Sequence, residues 1–157
     1  MSARRYSKTD LALLQQNLGA ELPPPVRKPR NNEESIMQRA LVRWFDLNAR
    51  KLGVHPLCLM SIPNGGNGDA RRGSIMKAEG QRKGAPDLFL AVSAKAGFET
   101  HRAYYNGLFL ELKTAKGRLS PEQEVYHEIL ANQGYRVAVV RSLTEGITVI
   151  TGYLNPT

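Results

Sequence analysis

The chain has 157 residues, enough for one domain with a single sizeable core and a short extension. No apolar run approaches the ~18 residues that span a bilayer and no signal-peptide stretch opens the sequence, so a cytoplasmic, intracellular protein is expected. Cys58 is the single cysteine, which excludes an internal disulfide and a cysteine-built zinc site, and the net charge of +8 points to a polyanionic partner. Nucleic acid is the first candidate; ribosomal contacts or an acidic protein would satisfy the same charge.

Residues 9–18 have the pattern of a short helix, with Leu11, Leu14 and Leu18 on one face and Gly19 as its stop. Residues 21–32 carry four prolines and three basic side chains, the composition of an extended linker. The first 30 residues hold six Lys/Arg against two acids. They are expected to form a basic, proline-rich arm, lying along DNA or a partner, or disordered. The globular part is expected over residues 31–157.

A helix is predicted from about residue 31 or 32 to about 52, capped by Asn31 or Asn32 and stopped by Gly53. Met37, Leu41 and Trp44 mark its core face, widened by Ile36, Ala40 and Phe45. Glu34 and Gln38 share one edge of that stripe. Glu34 has two readings: the N3 partner of an Asn31 cap, or a carboxylate aimed at a site. Residues 57–62 read as a strand with Cys58 buried in it, followed by a glycine-rich loop at 63–69. That loop is not a P-loop, because no Gly-Lys-Ser/Thr follows. Arg71, Arg72, Lys77, Arg82 and Lys83 come next, suited either to phosphate contact or to a plain solvated helix.

Residues 88–92 form a buried-looking strand entered through Pro86 and Asp87; proline is tolerated at a strand's first position, where no ladder bond is lost. Residues 93–106 read as the turn of a long hairpin whose tyrosines, Tyr104 and Tyr105, pack rather than stack on bases. The hairpin leads into Leu108, Phe109, Leu110, Glu111, Leu112 and Lys113. Side chains alternate along a strand, so Glu111 and Lys113 share one face while Leu110 and Leu112 take the other. Lys116 and Arg118 follow in a loop and are further candidates for phosphate contact. Ser120, Pro121 and Gln123 then form the N-cap, N1 and N3 of a helix, a capping box that accounts for Gln123 without chemistry. Val125, Ile129 and Leu130 are its expected core face. A strand at 135–140 and a helix from Leu143 to about Leu154 complete an α/β domain, a mixed β-sheet flanked by helices in the order α-β-β-β-α-β plus a C-terminal helix.

Two carboxylates on neighbouring strands, Asp87 and Glu111, repel and desolvate each other, which a divalent cation relieves. Mg2+ suits such an oxygen site, completed by water and a substrate phosphate, with Mn2+ able to substitute. Lys113 can then stabilise charge developing on a phosphate or position the attacking water. His55, His101 and His127 are scattered and set no metal-ligand spacing.

Pro86-Asp87 and Glu111-Leu112-Lys113 match the Pro-Asp and Glu-x-Lys pattern of the PD-(D/E)XK nuclease superfamily. With Pro63-Asn64-Gly65-Gly66, Gly84-Ala85-Pro86-Asp87-Leu88, Gly117 to Gln123 and Gly134-Tyr135, in that order, the chain resembles the VRR-NUC family, the virus-type replication-repair nucleases. The resemblance covers about residues 33–154. It implies a restriction-endonuclease-like core and metal-dependent hydrolysis of DNA phosphodiesters, with Asp87, Glu111 and Glu34 on the metal and Lys113 catalytic. It further implies a homodimer acting on branched DNA such as four-way junctions, in a bacterial or phage-infected cell, with no nucleotide cofactor. A basic DNA-binding module that keeps the fold without catalysis is the alternative.

Overall fold

The computed structural model describes residues 32–63, 70–95 and 104–155. The expected helix at 9–18, the proline-rich arm, the glycines of 64–69, and residues 96–103 with His101 and Arg102 lie outside the described residues. The elements are α1 (Glu33–Asn48), β1 (Leu59–Ser61), α2 (Ala70–Ala78), β2 (Leu88–Leu90), β3 (Ala94–Lys95), β4 (Tyr104–Tyr105), β5 (Leu108–Leu112), α3 (Pro121–Asn132), β6 (Arg136–Val140) and α4 (Leu143–Leu154).

The main sheet is mixed, in the order β1-β2-β5-β6. β2 runs antiparallel to both β1 and β5, whereas β5 and β6 are parallel, joined by the α3 crossover. This is the expected mixed sheet flanked by helices. Strand alternation divides it into two chemically different faces. On one face Leu88, Leu90, Leu108, Leu110 and Leu112 meet Leu41 and Phe45 of α1 and Ile150 and Tyr153 of α4, all essentially buried. Each such side chain contributes about 1.5–3 kcal/mol by leaving water, so this layer carries most of the fold's stability. Gly146 permits the close approach of α4: a Cβ there would lie 2.9 Å from a methyl of Leu41.

On the opposite face the rings of Phe89 and Phe109 stack with centroids 4.4 Å apart, and Tyr135 meets Phe109 edge-on at 5.2 Å. Glu111 and Lys113 continue this face toward the end of β5, as strand alternation requires.

Several boundaries differ from those read in the sequence. α1 ends at Asn48 rather than near residue 52, and the chain leaves it through turns to Gly53, whose φ is +76°. Its N-cap is Asn32, with no side-chain capping bond. The strand expected from 57 is shortened because Pro56 opens a 3-10 turn, Pro56–Cys58, capped by His55 Nδ1 accepting from Leu57 N–H at 3.2 Å. Cys58 is thus a half-buried turn residue and not a buried strand residue. The connection from β2 to β5 is more than a turn, since β3 and β4 pair within it as a second small sheet. Tyr105 packs there against Tyr153, with ring centroids 6.3 Å apart, and Tyr104 is exposed. In α3 the expected core residues Val125 and Ile129 face solvent, 57% and 54% exposed.

Candidate active site

Asp87 stands immediately before β2. The β2–β5 register pairs Leu88 with Leu110, which sets Asp87 across from Glu111. Three hydrogen bonds fix it there. Its N–H donates to the Leu110 carbonyl at 3.0 Å, its carbonyl accepts from Ile62 N–H at 2.8 Å, and its Oδ2 accepts from Leu112 N–H at 2.7 Å. The turn before it is set by Gly84, which has φ +85° and sits so close to α3 that a Cβ would be 2.5 Å from the Glu122 carbonyl.

Glu111 lies within β5 and is 1% exposed. Its Oε1 accepts from two donors, Lys113 Nζ at 3.0 Å and Gln123 Nε2. Its Oε2 has no hydrogen-bond partner; it faces His127 Nε2, 3.7 Å away, which has none either. Burial is the main force on this carboxyl and pushes its pKa up to about 7. The Lys113 hydrogen bond acts against that rise, while the charges of Asp87 and Glu34 add to it. Burial also lowers the pKa of His127, followed by the Lys113 charge, so that imidazole is neutral near pH 7.

Glu34 comes from the first turn of α1 and crosses to the end of β5, where its Oε1 accepts from Thr114 N–H at 3.1 Å. It is therefore not a helix-cap partner: its carboxylate ties α1 to the strand end and adds negative field at Glu111. Gln123 serves two elements at once. Its Oε1 accepts from Ser120 N–H at 2.9 Å and Ser120 Oγ accepts from Gln123 N–H at 3.3 Å, which closes the capping box, while Nε2 reaches Glu111. The cap and the carboxylate are one hydrogen-bonded unit, contrary to the sequence expectation that Gln123 only caps. His127, set aside in the sequence as an ordinary residue, is the other side chain that reasoning missed. The available signal was its i+4 spacing from Gln123, which puts both on one helix face.

The basic candidates are more dispersed. Lys77, Arg82, Lys83, Lys116 and Arg118 are exposed. Arg82 Nη1 bonds to the carbonyls of Lys77 and Gln81 at 3.5 and 3.3 Å, and Lys83 pairs with Glu122, holding that carboxyl well below its usual range. Arg71 and Arg72 fall in α2, but their side chains lie outside the described residues.

Among the described residues no three of His, Cys, Asp and Glu close into a metal cage. What is present is an open arrangement: two carboxylates on paired strands, one with a buried oxygen that nothing satisfies, beside a lysine. A hard divalent ion fits this donor set, since it supplies the positive charge that the Oε2 of Glu111 lacks.

The VRR-NUC domain matches residues 32–143 of the sequence. The chain belongs to the VRR-NUC family. A solved structure titled "VRR_NUC domain protein" is 25% identical, with a TM-score of 0.58, covering 76% of this chain and 86% of that one. A second, titled "VRR_NUC domain", is 22% identical with a TM-score of 0.45, covering 77% and 97% respectively. No curated protein matches the chain. The VRR-NUC domain is a nuclease-fold domain, and in this one Asp87, Glu111, Lys113, Gln123 and His127 converge where β2, β5 and α3 meet. Among the described residues no helix is long and apolar enough to cross a membrane.

Proposed function

We propose that this VRR-NUC protein is a divalent-metal-dependent DNA endonuclease selective for branched DNA such as four-way junctions. The observation that carries the reading is Glu111. Its carboxylate is buried at the end of a central strand, with one oxygen held by Lys113 and Gln123 and the other unsatisfied, opposite Asp87. A purely structural strand has no reason to keep such a group, because an unsatisfied buried oxygen costs about 1–3 kcal/mol.

Asp87 and Glu111 would hold the ion, and Glu34, tied to the Thr114 amide just after β5, would ligate it or a water on it. Mg2+ is the natural occupant and Mn2+ the substitute. When bound, the ion would stabilise charge on the scissile phosphate and activate water. Lys113, fixed at 3.0 Å from Glu111 Oε1, keeps its positive charge at the same point, where it can meet a phosphate oxygen. Lys116 and Arg118, exposed on the loop after β5, would supply counter-charge to the DNA backbone, as would the exposed Lys77, Arg82 and Lys83, with Arg71 and Arg72 of α2 as further candidates from the sequence. The working unit is residues 31–157, with residues 1–30 as a basic arm. A homodimer would present two sites to opposed strands, the geometry that symmetric cutting of a junction requires. The protein would act inside a bacterial or phage-infected cell, where its substrate is.

The test is cleavage of junction, flap and linear duplex DNA with and without Mg2+ or Mn2+. Junction cutting that needs the ion and is lost in Glu111→Ala and Lys113→Ala, both shown to fold, supports the reading. Salt-sensitive binding with no cutting under any ion would instead make the chain a DNA-binding module.

A further inference from the structure

Among the described residues, two buried side-chain atoms have no hydrogen-bond partner, Glu111 Oε2 and His127 Nε2, and they face each other. Their separation of 3.7 Å is too long for a hydrogen bond. It is shorter than about 4.0–4.4 Å, twice the distance from a divalent ion to an oxygen or nitrogen ligand. One ion can therefore touch both atoms in a bent arrangement.

The surroundings explain why the gap does not close. Lys113 and Gln123 both grip the other oxygen of Glu111, so the carboxylate is held on the side away from the imidazole. His127 lies one turn after Gln123 on α3. A single helix face thus carries the residue that aims Glu111 and the residue that faces its remaining oxygen. Asp87 stands opposite Glu111 on the paired strand.

We propose that His127 donates Nε2 to the divalent ion held by Glu111, as a nitrogen ligand in an otherwise oxygen site. The proposal rests on the metal-dependent reading above and changes its terms. Mg2+ takes oxygen ligands and tolerates imidazole poorly, whereas transition-metal ions accept it readily. The site then prefers Mn2+ to Mg2+, reversing the order expected from the carboxylates alone. The positions that Asp87, Glu111 and His127 leave open fall to water and to a phosphate of the DNA.

The experiment loads the full chain with Mn2+ alone and records electron spin-echo envelope modulation, which detects a nitrogen bound directly to the ion. Wild type should show 14N modulation that is absent from His127→Ala and from His127→Gln, the second variant retaining bulk if the first unfolds. By calorimetry, Mn2+ affinity should fall at least about tenfold in either variant, and Mg2+ affinity by less than about threefold. Mn2+ binding and DNA cutting without 14N modulation in wild type would overturn the ligation and leave the nuclease reading standing. Modulation that survives both substitutions would overturn it too. A wild-type chain that binds neither Mn2+ nor Mg2+ would overturn the metal-dependent reading and the ligation with it.

Discussion

Replacing Glu111 by Gln isolates the cost of the buried charge. In the folded chain burial pushes this carboxyl from an ordinary value of 4.5 up to about 7. Between those values the folded protein holds a proton that the unfolded chain has already released. Stability therefore falls as pH rises through that window and levels off above it. Each pH unit within the window is worth about 1.4 kcal/mol, so going from pH 5 to pH 8 without metal costs the wild type about 2.5 kcal/mol through this group. Gln keeps the size and an acceptor for Lys113 and Gln123 but does not titrate. The Lys113 ion pair forms only with the ionised carboxylate and is already contained in the value of about 7, so it adds no separate slope. Urea unfolding in EDTA at pH 5, 6, 7 and 8 should show the wild type losing about 2–3 kcal/mol more than Glu111→Gln across the series. Cleavage should be abolished in the variant. Parallel stability profiles would refute the argument that Glu111 is a charge held out of water for an ion to satisfy.

Lys113→Ala should lower the junction cleavage rate about 10²–10³-fold with the fold intact by circular dichroism, the range seen when one charge-stabilising group is removed. Ser120→Ala and Gln123→Ala should each lower unfolding stability by about 1 kcal/mol through the cap. Only Gln123→Ala should also slow cleavage, because only Gln123 touches Glu111. Gly84→Ala should lose about 2 kcal/mol or more, since it combines φ +85° with a 2.5 Å approach to the Glu122 carbonyl. In contrast Gly152→Ala, in α4 with nothing within 4 Å of the added carbon, should gain about 0.5–1 kcal/mol in thermal unfolding.

Much of the site was legible because strand chemistry is local. Alternation alone puts Glu111 and Lys113 on one face and the leucines on the other, and a proline-led strand entry marks Asp87. The capping box of α3 is equally local and stands as read. What the sequence hid follows from one physical fact: apolar periodicity reports the inward face of a helix only when that face is apolar. α3 turns Gln123 and His127 toward the sheet because Glu111 lies beneath, which leaves Val125 and Ile129 outside. Glu34 was ambiguous for a different reason. Its partner, the Thr114 amide, lies 80 positions away, beyond any local rule. The shortened strand at β1 had a visible cause in Pro56, whose missing N–H favours a turn over a ladder.

The two carboxylates are spaced by a ladder and not by the chain that joins them. Asp87 and Glu111 sit at one end of the β2–β5 pair, and the connection carrying β3 and β4 leaves from the other. Its length therefore has no lever on the distance between them. A longer or shorter connection would leave the separation of the two carboxylates unchanged, because the β2–β5 register alone sets it.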